Sequence, residues 1–534
     1  MGRLALALWS LCCATATAVA QDVVYTFVGD SPDDLLGGSV DVASDIDGDG
    51  LPELVVGSPG DPVRQVRVFS GADGGFLFAL HGPNPGEQFG RWVAGLGDVD
   101  GDGSGDFAVS APSGGYTRVY SGASQTVLFQ WNVPSQRLAN VGDADGDGFD
   151  DLAVASSFHP NHQVRLFSGG TGNLLHHWTG GISFGTSVDG AGDVNGDGYA
   201  DVVVGSHFES GTGGPESGRV FVYSGVDGGL LHLFEGDDQY QWFGETVAGV
   251  GDVNGDGYDD LLATAEIEHL FVWDDPYVRV FSGLDGSILH EFVYPLCMGF
   301  LGAAASDAGD VDGDGLDDFL LGGNDGCGDE FLALHSGGSG ARLWTIDVKM
   351  THESLEPTGD VNGDGIADFI TGDRGDTFGG DDAGRAEVRS LFCSVFPQRY
   401  CPPAPNSAGP GASIGWGGSL SLSQNDLRLS AAGCPPGAYG VFFYGPLATQ
   451  VPFGDGYRCV AGGGLGIFRL YPPVPTDPGG AVEIATDSTA PPMGSGPGTL
   501  GAGETWHFQF WYRDVPAGLS GFNLTDALGL TFCP

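Results

Sequence analysis

One nine-residue pattern, D-x-[DN]-G-D-G-x-x-[DE], occurs seven times in this chain, starting at Asp45, Asp98, Asp143, Asp193, Asp252, Asp310 and Asp360. Successive starts are 53, 45, 50, 59, 58 and 50 residues apart. A repeat at that interval is one supersecondary unit that cannot bury its apolar face alone, so the units must stack. The flanks identify the unit as β. Each loop is followed by a short apolar run: Leu54-Val55-Val56, Phe107-Ala108-Val109, Leu152-Ala153-Val154, Val202-Val203-Val204, Leu261-Leu262-Ala263, Phe319-Leu320-Leu321 and Phe369-Ile370. Runs this short, rich in β-branched residues and bounded by Gly, Ser or Pro, read as buried strands. A third strand recurs from Val66 to Gly71 and its equivalents, and a fourth from Phe76 to Leu80 and its equivalents. Four strands per unit of about 50 residues is the profile of a propeller blade. The seventh repeat has a third strand near Ala386 to Leu391 but no fourth. Val23 to Phe27 stands alone before the first loop, so it is expected to complete the last blade and close the ring, leaving no open sheet edge.

The loops carry oxygen at alternate positions. Positions 1, 3, 5, 7 and 9 are Asp45, Asp47, Asp49, Leu51 and Glu53 in the first loop. They are Asp98, Asp100, Asp102, Ser104 and Asp106 in the second, and Asp143, Asp145, Asp147, Phe149 and Asp151 in the third. The fourth offers Asp193, Asn195, Asp197, Tyr199 and Asp201, and the fifth Asp252, Asn254, Asp256, Tyr258 and Asp260. The sixth offers Asp310, Asp312, Asp314, Leu316 and Asp318, and the seventh Asp360, Asn362, Asp364, Ile366 and Asp368. Position 7 serves through its backbone carbonyl. Glycine at positions 4 and 6 of every loop permits the tight turn. Such a set of hard oxygens, without thiol or imidazole, suits Ca²⁺ rather than zinc or copper. Two carboxylates about 4 Å apart repel by about 4 kcal/mol at a surface-like dielectric, so packing three or four together calls for a cation. Up to seven Ca²⁺ ions, one per blade, are expected. A helical calcium module would need an acid at position 12, where this chain has Val56, Val109, Val154, Val204, Ala263, Leu321 and Thr371.

These units resemble FG-GAP repeats, which build the N-terminal β-propeller of integrin α chains and occur in many secreted bacterial proteins. The resemblance covers roughly residues 21–392. It rests on the loops and on the Leu-Gly or Phe-Gly steps Leu36-Gly37, Phe89-Gly90, Phe184-Gly185, Phe243-Gly244 and Leu301-Gly302, which the third and seventh repeats lack. It implies a seven-bladed propeller in which each loop joins the first two strands of a blade around calcium, used as a binding or adhesion scaffold.

Lys and Arg total 19 against 70 Asp and Glu, for a formal net charge of −51. That balance repels nucleic acid and anionic membranes. Arg3, the apolar stretch Leu4 to Leu11 and the small-residue site Ala18-Val19-Ala20 read as a signal peptide over 1–20, cleaved before Gln21. No later segment is expected to span a membrane, and the mature chain is expected to be secreted or held at the cell surface.

After Cys393 the Asp-rich loops stop. Residues 393–418 are rich in Pro, Gly and Ser and read as a linker. Residues 419–534 carry about seven short alternating segments, including Tyr439 to Tyr444, Gly466 to Tyr471 and Trp506 to Tyr512, which suggest a small β-sandwich. Export makes disulfides plausible. The expected pairs are Cys297–Cys327, Cys434–Cys459 and Cys401–Cys533, leaving Cys393 over. Trp506, Trp511 and Tyr512 either stack on a sugar or belong to the sandwich core.

The sequence carries no nucleophile elbow, zinc-protease motif, phosphate loop or dinucleotide fingerprint. The favoured reading is a non-catalytic extracellular scaffold for a protein or glycan ligand. The alternatives are a polysaccharide lyase or hydrolase with residues gathered from several blades, and a structural envelope or matrix component. Arg374-Gly375-Asp376 resembles an integrin-recognition tripeptide, though Asp/Gly-rich sequence makes it cheap by chance.

Overall fold

The computed structural model describes residues 23–60, 64–157, 162–265, 276–293, 300–311, 314–324, 330–348, 354–361, 367–376, 382–390, 398–417, 422, 425, 427–501, 505–515 and 520–532. All regular structure among them is β-strand. They fall into two compact units, 23–391 and 392–534.

Among the described residues, the first unit contains seven four-stranded antiparallel sheets. The first sheet runs Val40–Ala43, Glu53–Ser58, Gln65–Phe69, Phe76–His81, and the next five repeat that order along the chain. The seventh takes Ser354–Gly359, Asp368–Asp373 and Arg385–Ser390, then adds Val23–Val28 from the start of the chain. Val23 pairs with Arg389 and Phe27 with Ala386, antiparallel. The expected ring-closing strand is therefore where the lone N-terminal segment lies. The first strands of successive sheets touch in turn, and the circuit returns from Ser354–Gly359 to Val40–Ala43. There the Ser354 hydroxyl accepts from Val40 N at 2.7 Å and donates to Val40 O at 3.2 Å.

Strand composition follows position. The second strands are buried along their whole length, as in Glu53–Ser58 and Asp201–Ser206. Neighbouring sheets cover both of their faces, which is why they read as continuous Val, Leu and Ala rather than as an alternation. Fourth strands such as Phe76–His81 are half-exposed. Apolar clusters form between sheets: Val55, Val66 and Val68 of the first pack with Val93, Phe107 and Val109 of the second. The Phe-Gly phenylalanines Phe89, Phe184 and Phe243 are fully buried, each stabilising by about 1.5–3 kcal/mol relative to exposure.

The second unit has a five-stranded sheet, ordered Gln398–Tyr400, Phe522–Thr531, Thr505–Arg513, Tyr439–Gly445, Phe468–Pro475. A three-stranded sheet is made of Ser413–Gly417, Arg428–Ala432 and Val482–Ala485, and a hairpin of Leu447–Phe453 and Gly456–Ala461. The five- and three-stranded sheets share one core, with Ile414 and Leu429 from one meeting Phe442, Phe508 and Phe510 from the other.

Two expectations change here, the linker and the cysteine pairs, and one open alternative is decided. Gln398–Tyr400 and Ser413–Gly417, inside the stretch that composition marks as linker, are strands of these sheets. They are short, and their Pro and Gly neighbours hide their period. Trp506 and Tyr512 are 2% and 0% exposed and belong to the core, while Trp511 packs on Phe522. Cys401 pairs with Cys459, with Cα atoms 6.3 Å apart, so neither Cys434–Cys459 nor Cys401–Cys533 forms. Cys434 is free and buried within the shared core, where burial pushes its thiol up to about 12. Cys297, Cys327, Cys393 and Cys533 lie outside the described residues.

Candidate metal centre

Each acidic loop joins the first strand of a sheet to the second. In the first loop, Asp45 Oδ1 accepts from Gly48 N at 2.6 Å and Asp49 N at 3.1 Å, and Oδ2 from Gly50 N at 2.9 Å. Gly50 has φ 93°, a conformation costly for any residue with a Cβ. Asp49 Oδ1 accepts from Leu51 N at 2.9 Å. The position 5 carboxylate accepts from the position 7 amide in the same way in the second to sixth loops, through Ser104, Phe149, Tyr199, Tyr258 and Leu316.

This wrapping turns the acids toward one another. Ligand atoms of Asp45, Asp47, Asp49 and Glu53 all lie within 4.8 Å of one another. The same holds for Asp98, Asp100 and Asp106, and for Asp143, Asp145 and Asp151. At position 5, Asp102 and Asp147 accept from the Ser121 and Ser168 hydroxyls at 3.3 and 3.2 Å, as Asp49 does from Ser70 at 3.5 Å. In the fourth and fifth loops the position 3 residue is amide, and Asn195 and Asn254 donate to Asp201 and Asp260. Asp310, Asp314, Leu316, Asp318, Asp360 and Asp368 hold the corresponding places in the last two loops. Asp312, Asn362, Asp364 and Ile366 lie outside the described residues.

Position 9 does more than the pattern suggests. Glu53, Asp106, Asp151, Asp201 and Asp260 are all 0% exposed. Asp201 accepts from Val194 N at 3.2 Å and from Gly225 N at 3.1 Å. The same pair of bonds recurs on Asp106, Asp151, Asp260 and Asp318. The second donor is always the glycine of a Ser-Gly step that follows the third strand. A Cβ on Gly225 would stand 2.0 Å from Ala200 O, so only glycine brings its amide to the carboxylate. Sequence reasoning saw this Ser-Gly step as a strand end and missed its role. Its recurrence after six third strands, from Ser70-Gly71 to Ser336-Gly337, is the available signal.

Burial pushes the position 9 carboxyls upward, to about 7 for Glu53, Asp151, Asp201 and Asp260 and about 6 for Asp106, with neighbouring loop aspartates adding to the rise. In the first loop, Glu53 Oε2 accepts from Ile46 N, while the buried Oε1 meets no donor among the described residues. An orphaned carboxylate oxygen beside three further carboxylates fits a hard divalent cation, which would supply the missing partner.

A second acidic feature lies inside the ring of first strands. Asp41, Asp189 and Glu356 occupy the same register, opposite Val55, Val203 and Ile370, and line a cavity of about 210 Å³. Burial raises Asp41 and Asp189 to about 7 and Glu356 well above its usual range, where the charges of Asp41 and Asp189 add to the effect.

Two family models match this chain: FG-GAP repeat over residues 184–223 and 243–268, and FG-GAP-like repeat over 45–109. The chain carries FG-GAP repeats. Integrin alpha-4 from Xenopus laevis is 34% identical over 121 residues, which cover 20% of this chain and 11% of that protein's length. A solved structure titled as BBS1N in complex with ARL6DN, soaked with mercury, aligns with TM-score 0.47 and 10% identity, covering 71% of this chain and 99% of that one.

The Arg374-Gly375-Asp376 tripeptide lies outside the matched repeats, just after the second strand of the seventh sheet. Asp376 pairs with Arg385 at 3.2 Å, with only 12% of its side chain exposed, so its carboxylate is committed within the seventh sheet. Trp242 packs edge-on against Phe208 at 5.2 Å and donates to Glu216.

Proposed function

We propose that this protein is a secreted, calcium-loaded seven-bladed β-propeller that acts as an extracellular binding or adhesion scaffold for a protein or glycan ligand. Residues 21–392 form the propeller, and the second unit is a small β-sandwich. The observation that carries the reading is the convergence of three or four carboxylates in a loop whose buried Glu53 Oε1 lacks a donor. Positions 1, 3, 5 and 9 of each loop, with the carbonyl of position 7, would hold the ion. Bound Ca²⁺ supplies charge neutralisation and stiffness rather than reaction chemistry. Loops at the opposite ends of the strands are then free to carry recognition, as is common for loops on a rigid frame.

Metal content measured after gel filtration in trace calcium tests the first half. Bound calcium approaching seven ions per chain, with a sharp fall in melting temperature in chelator, is expected. An unchanged melt in chelator would remove the structural role. A glycan and protein array with and without chelator tests the second half: ligand capture that depends on calcium supports the scaffold. Turnover of a polysaccharide panel would replace it with an enzyme.

A further inference from the structure

Asparagine followed by glycine occurs three times in this chain, at Asn195-Gly196, Asn254-Gly255 and Asn362-Gly363. All three steps fall at positions 3 and 4 of an acidic loop, and no other asparagine precedes glycine. Asn362 lies outside the described residues. The remaining four loops carry aspartate at position 3, as Asp47, Asp100, Asp145 and Asp312. The loops thus differ at one ligand by the exchange of an amide for an acid, and the difference sits on the dipeptide whose own backbone can carry out that exchange. The glycine nitrogen, with no Cβ beside it to block the approach, attacks the asparagine Cγ. A five-membered succinimide closes and the side-chain amide leaves as ammonia. One water then opens the ring, at one carbonyl to give aspartate and at the other to give isoaspartate.

The two described steps are not equally open to this attack. Gly196 and Gly255 are exposed and Asn195 and Asn254 half-buried, so water reaches both. In the first, second, third and fifth loops the position 4 amide donates to the position 1 carboxylate, at 2.6, 2.7, 2.6 and 2.7 Å. Gly255 N is among these and must leave Asp252 Oδ1 before it can turn to Cγ. Gly196 N meets no acceptor among the described residues. The leaving amide follows the same order: Asn195 Nδ2 reaches Asp201 Oδ1 only at 3.4 Å, whereas Asn254 Nδ2 donates to Asp260 Oδ2 at 3.0 Å. The aspartate product has a precedent in the third loop, where Asp145 at position 3 stands with Asp143 and Asp151, their ligand atoms within 4.8 Å of one another.

We propose that Asn195 and Asn254 are self-modifying sites gated by calcium: an empty loop converts its asparagine, a filled loop keeps it, and Asn195 converts first. The gate rests on the calcium reading, while the conversion and its order rest on the loops alone. Both asparagines would be ligands of a bound ion, and a side chain so engaged is not free to meet the glycine nitrogen. Without a cation the loop carboxylates repel one another and loosen the turn. Aspartate adds a charge to the ligand set, which tightens calcium binding. Isoaspartate inserts a methylene into the backbone, which puts positions 5, 7 and 9 out of step with position 1.

The test is incubation of freshly prepared full chain at pH 8, in calcium and in chelator, sampled over weeks. Peptide mass mapping reads the mass gained when an amide becomes an acid, and chromatography of the peptides separates aspartate from isoaspartate. In chelator Asn195 is expected to convert about fivefold faster than Asn254, the weight of one further hydrogen bond. In saturating calcium both rates should fall about tenfold or more, with the fraction of empty loops. Asn195→Gln should stop conversion at that step, because glutamine would have to close a six-membered ring. Gly196 itself is a poor place for the control, since a Cβ there would stand 2.5 Å from the Tyr258 ring. Asn195→Asp should move one site from the weaker to the tighter class in a chelator-competition titration. Asparagine that persists at both steps in chelator overturns the proposal, as does conversion of Asn254 ahead of Asn195. A chain shown by metal analysis to hold calcium, yet converting as fast as the empty one, sinks the gate and leaves the calcium reading standing. Metal analysis that finds no bound calcium sinks both together.

Discussion

Replacing Asp201 by alanine in calcium-free protein strips an acceptor from two buried amides, Val194 N at 3.2 Å and Gly225 N at 3.1 Å, and from the Asn195 side chain at 3.4 Å. A buried donor left unpaired costs about 1–3 kcal/mol, so the two amides together cost about 2–6 kcal/mol. The size of the loss depends on pH. Burial lifts the Asp201 carboxyl to about 7. At pH 6 the group is largely neutral in the native state, and the full loss should appear. At pH 8 its ionisation in a buried site is itself unfavourable, and removing it offsets part of the loss. Asp197, four residues earlier, is exposed and accepts only from Tyr199 N at 3.1 Å; Asp197→Ala should stay within about 0.5 kcal/mol in chelator. In saturating calcium both variants should lose stability, since each removes a ligand. Urea melts of both variants in chelator at pH 6 and at pH 8, and in calcium at pH 7.5, decide the matter, with hydrogen exchange at Gly225 reporting the local bond. Equal behaviour of the two variants in chelator would refute the separation of a structural position 9 from a position 5 that serves metal alone.

Calcium should bind in two classes, tighter to the first, second, third and sixth loops, where positions 1, 3, 5 and 9 are all acidic, than to the fourth, fifth and seventh, where position 3 is Asn; a single class of sites in a chelator-competition titration would count against that ranking. In chelator, stability should fall as pH rises from about 5 to 8, because the native state holds protons on the position 9 carboxyls and on Asp41, Asp189 and Glu356 that the unfolded chain releases near pH 4. Combining Asp41→Asn, Asp189→Asn and Glu356→Gln should flatten that slope in pH-dependent melts, and an unchanged slope would clear these three groups. Cys401→Ser should cost the second unit roughly 4 kcal/mol by chain entropy for its 58-residue separation, read as a fall in that unit's denaturation midpoint; no fall would mean that the bridge contributes nothing. His232 Nε2 donates to Gly283 O of the next sheet at 2.6 Å, so His232→Ala should loosen the junction of the fourth and fifth sheets by about 1 kcal/mol, seen as faster exchange at Gly283, and unchanged exchange would exclude a role for that bond.

What was legible in the sequence was what repeats with a fixed spacing. The loop acids, the apolar second strands and the Phe-Gly steps each report a local backbone demand, so the sheets followed from them, as did the closing strand Val23–Val28. What escaped was set by tertiary neighbours. Asp41, Asp189 and Glu356 share a register only once the first strands ring one cavity, and nothing in their flanks marks them. The Arg91 and Arg137 guanidiniums both stand over the Trp92 ring, which joins two loops 45 residues apart in the repeat series, a distance at which sequence alone offers no pairing. The second unit was harder because its strands do not repeat. Gln398–Tyr400 and Ser413–Gly417 hide among Pro and Gly, and the cysteine partners depended on which of them faced the core.

The Ser-Gly step explains why metal and fold belong together in this architecture. Gly225 donates its amide to Asp201 in its own sheet, and its carbonyl accepts from His176 Nε2 of the preceding sheet at 2.7 Å. Gly283 and Gly337 repeat the arrangement with His232 and His290, both at 2.6 Å. One peptide glycine therefore ties the base of an acidic loop to the outer strand of its neighbour. A cation that holds Asp201 ionised strengthens the bond to Gly225, since a charged acceptor is stronger than a neutral one. The Gly225 carbonyl belongs to the next peptide group, so what reaches His176 is a glycine backbone held more firmly in place rather than a polarised acceptor. Through that single residue, filling a loop stiffens a junction between sheets, and a ring of such junctions can hold its far face rigid for recognition although no metal ligand lies there.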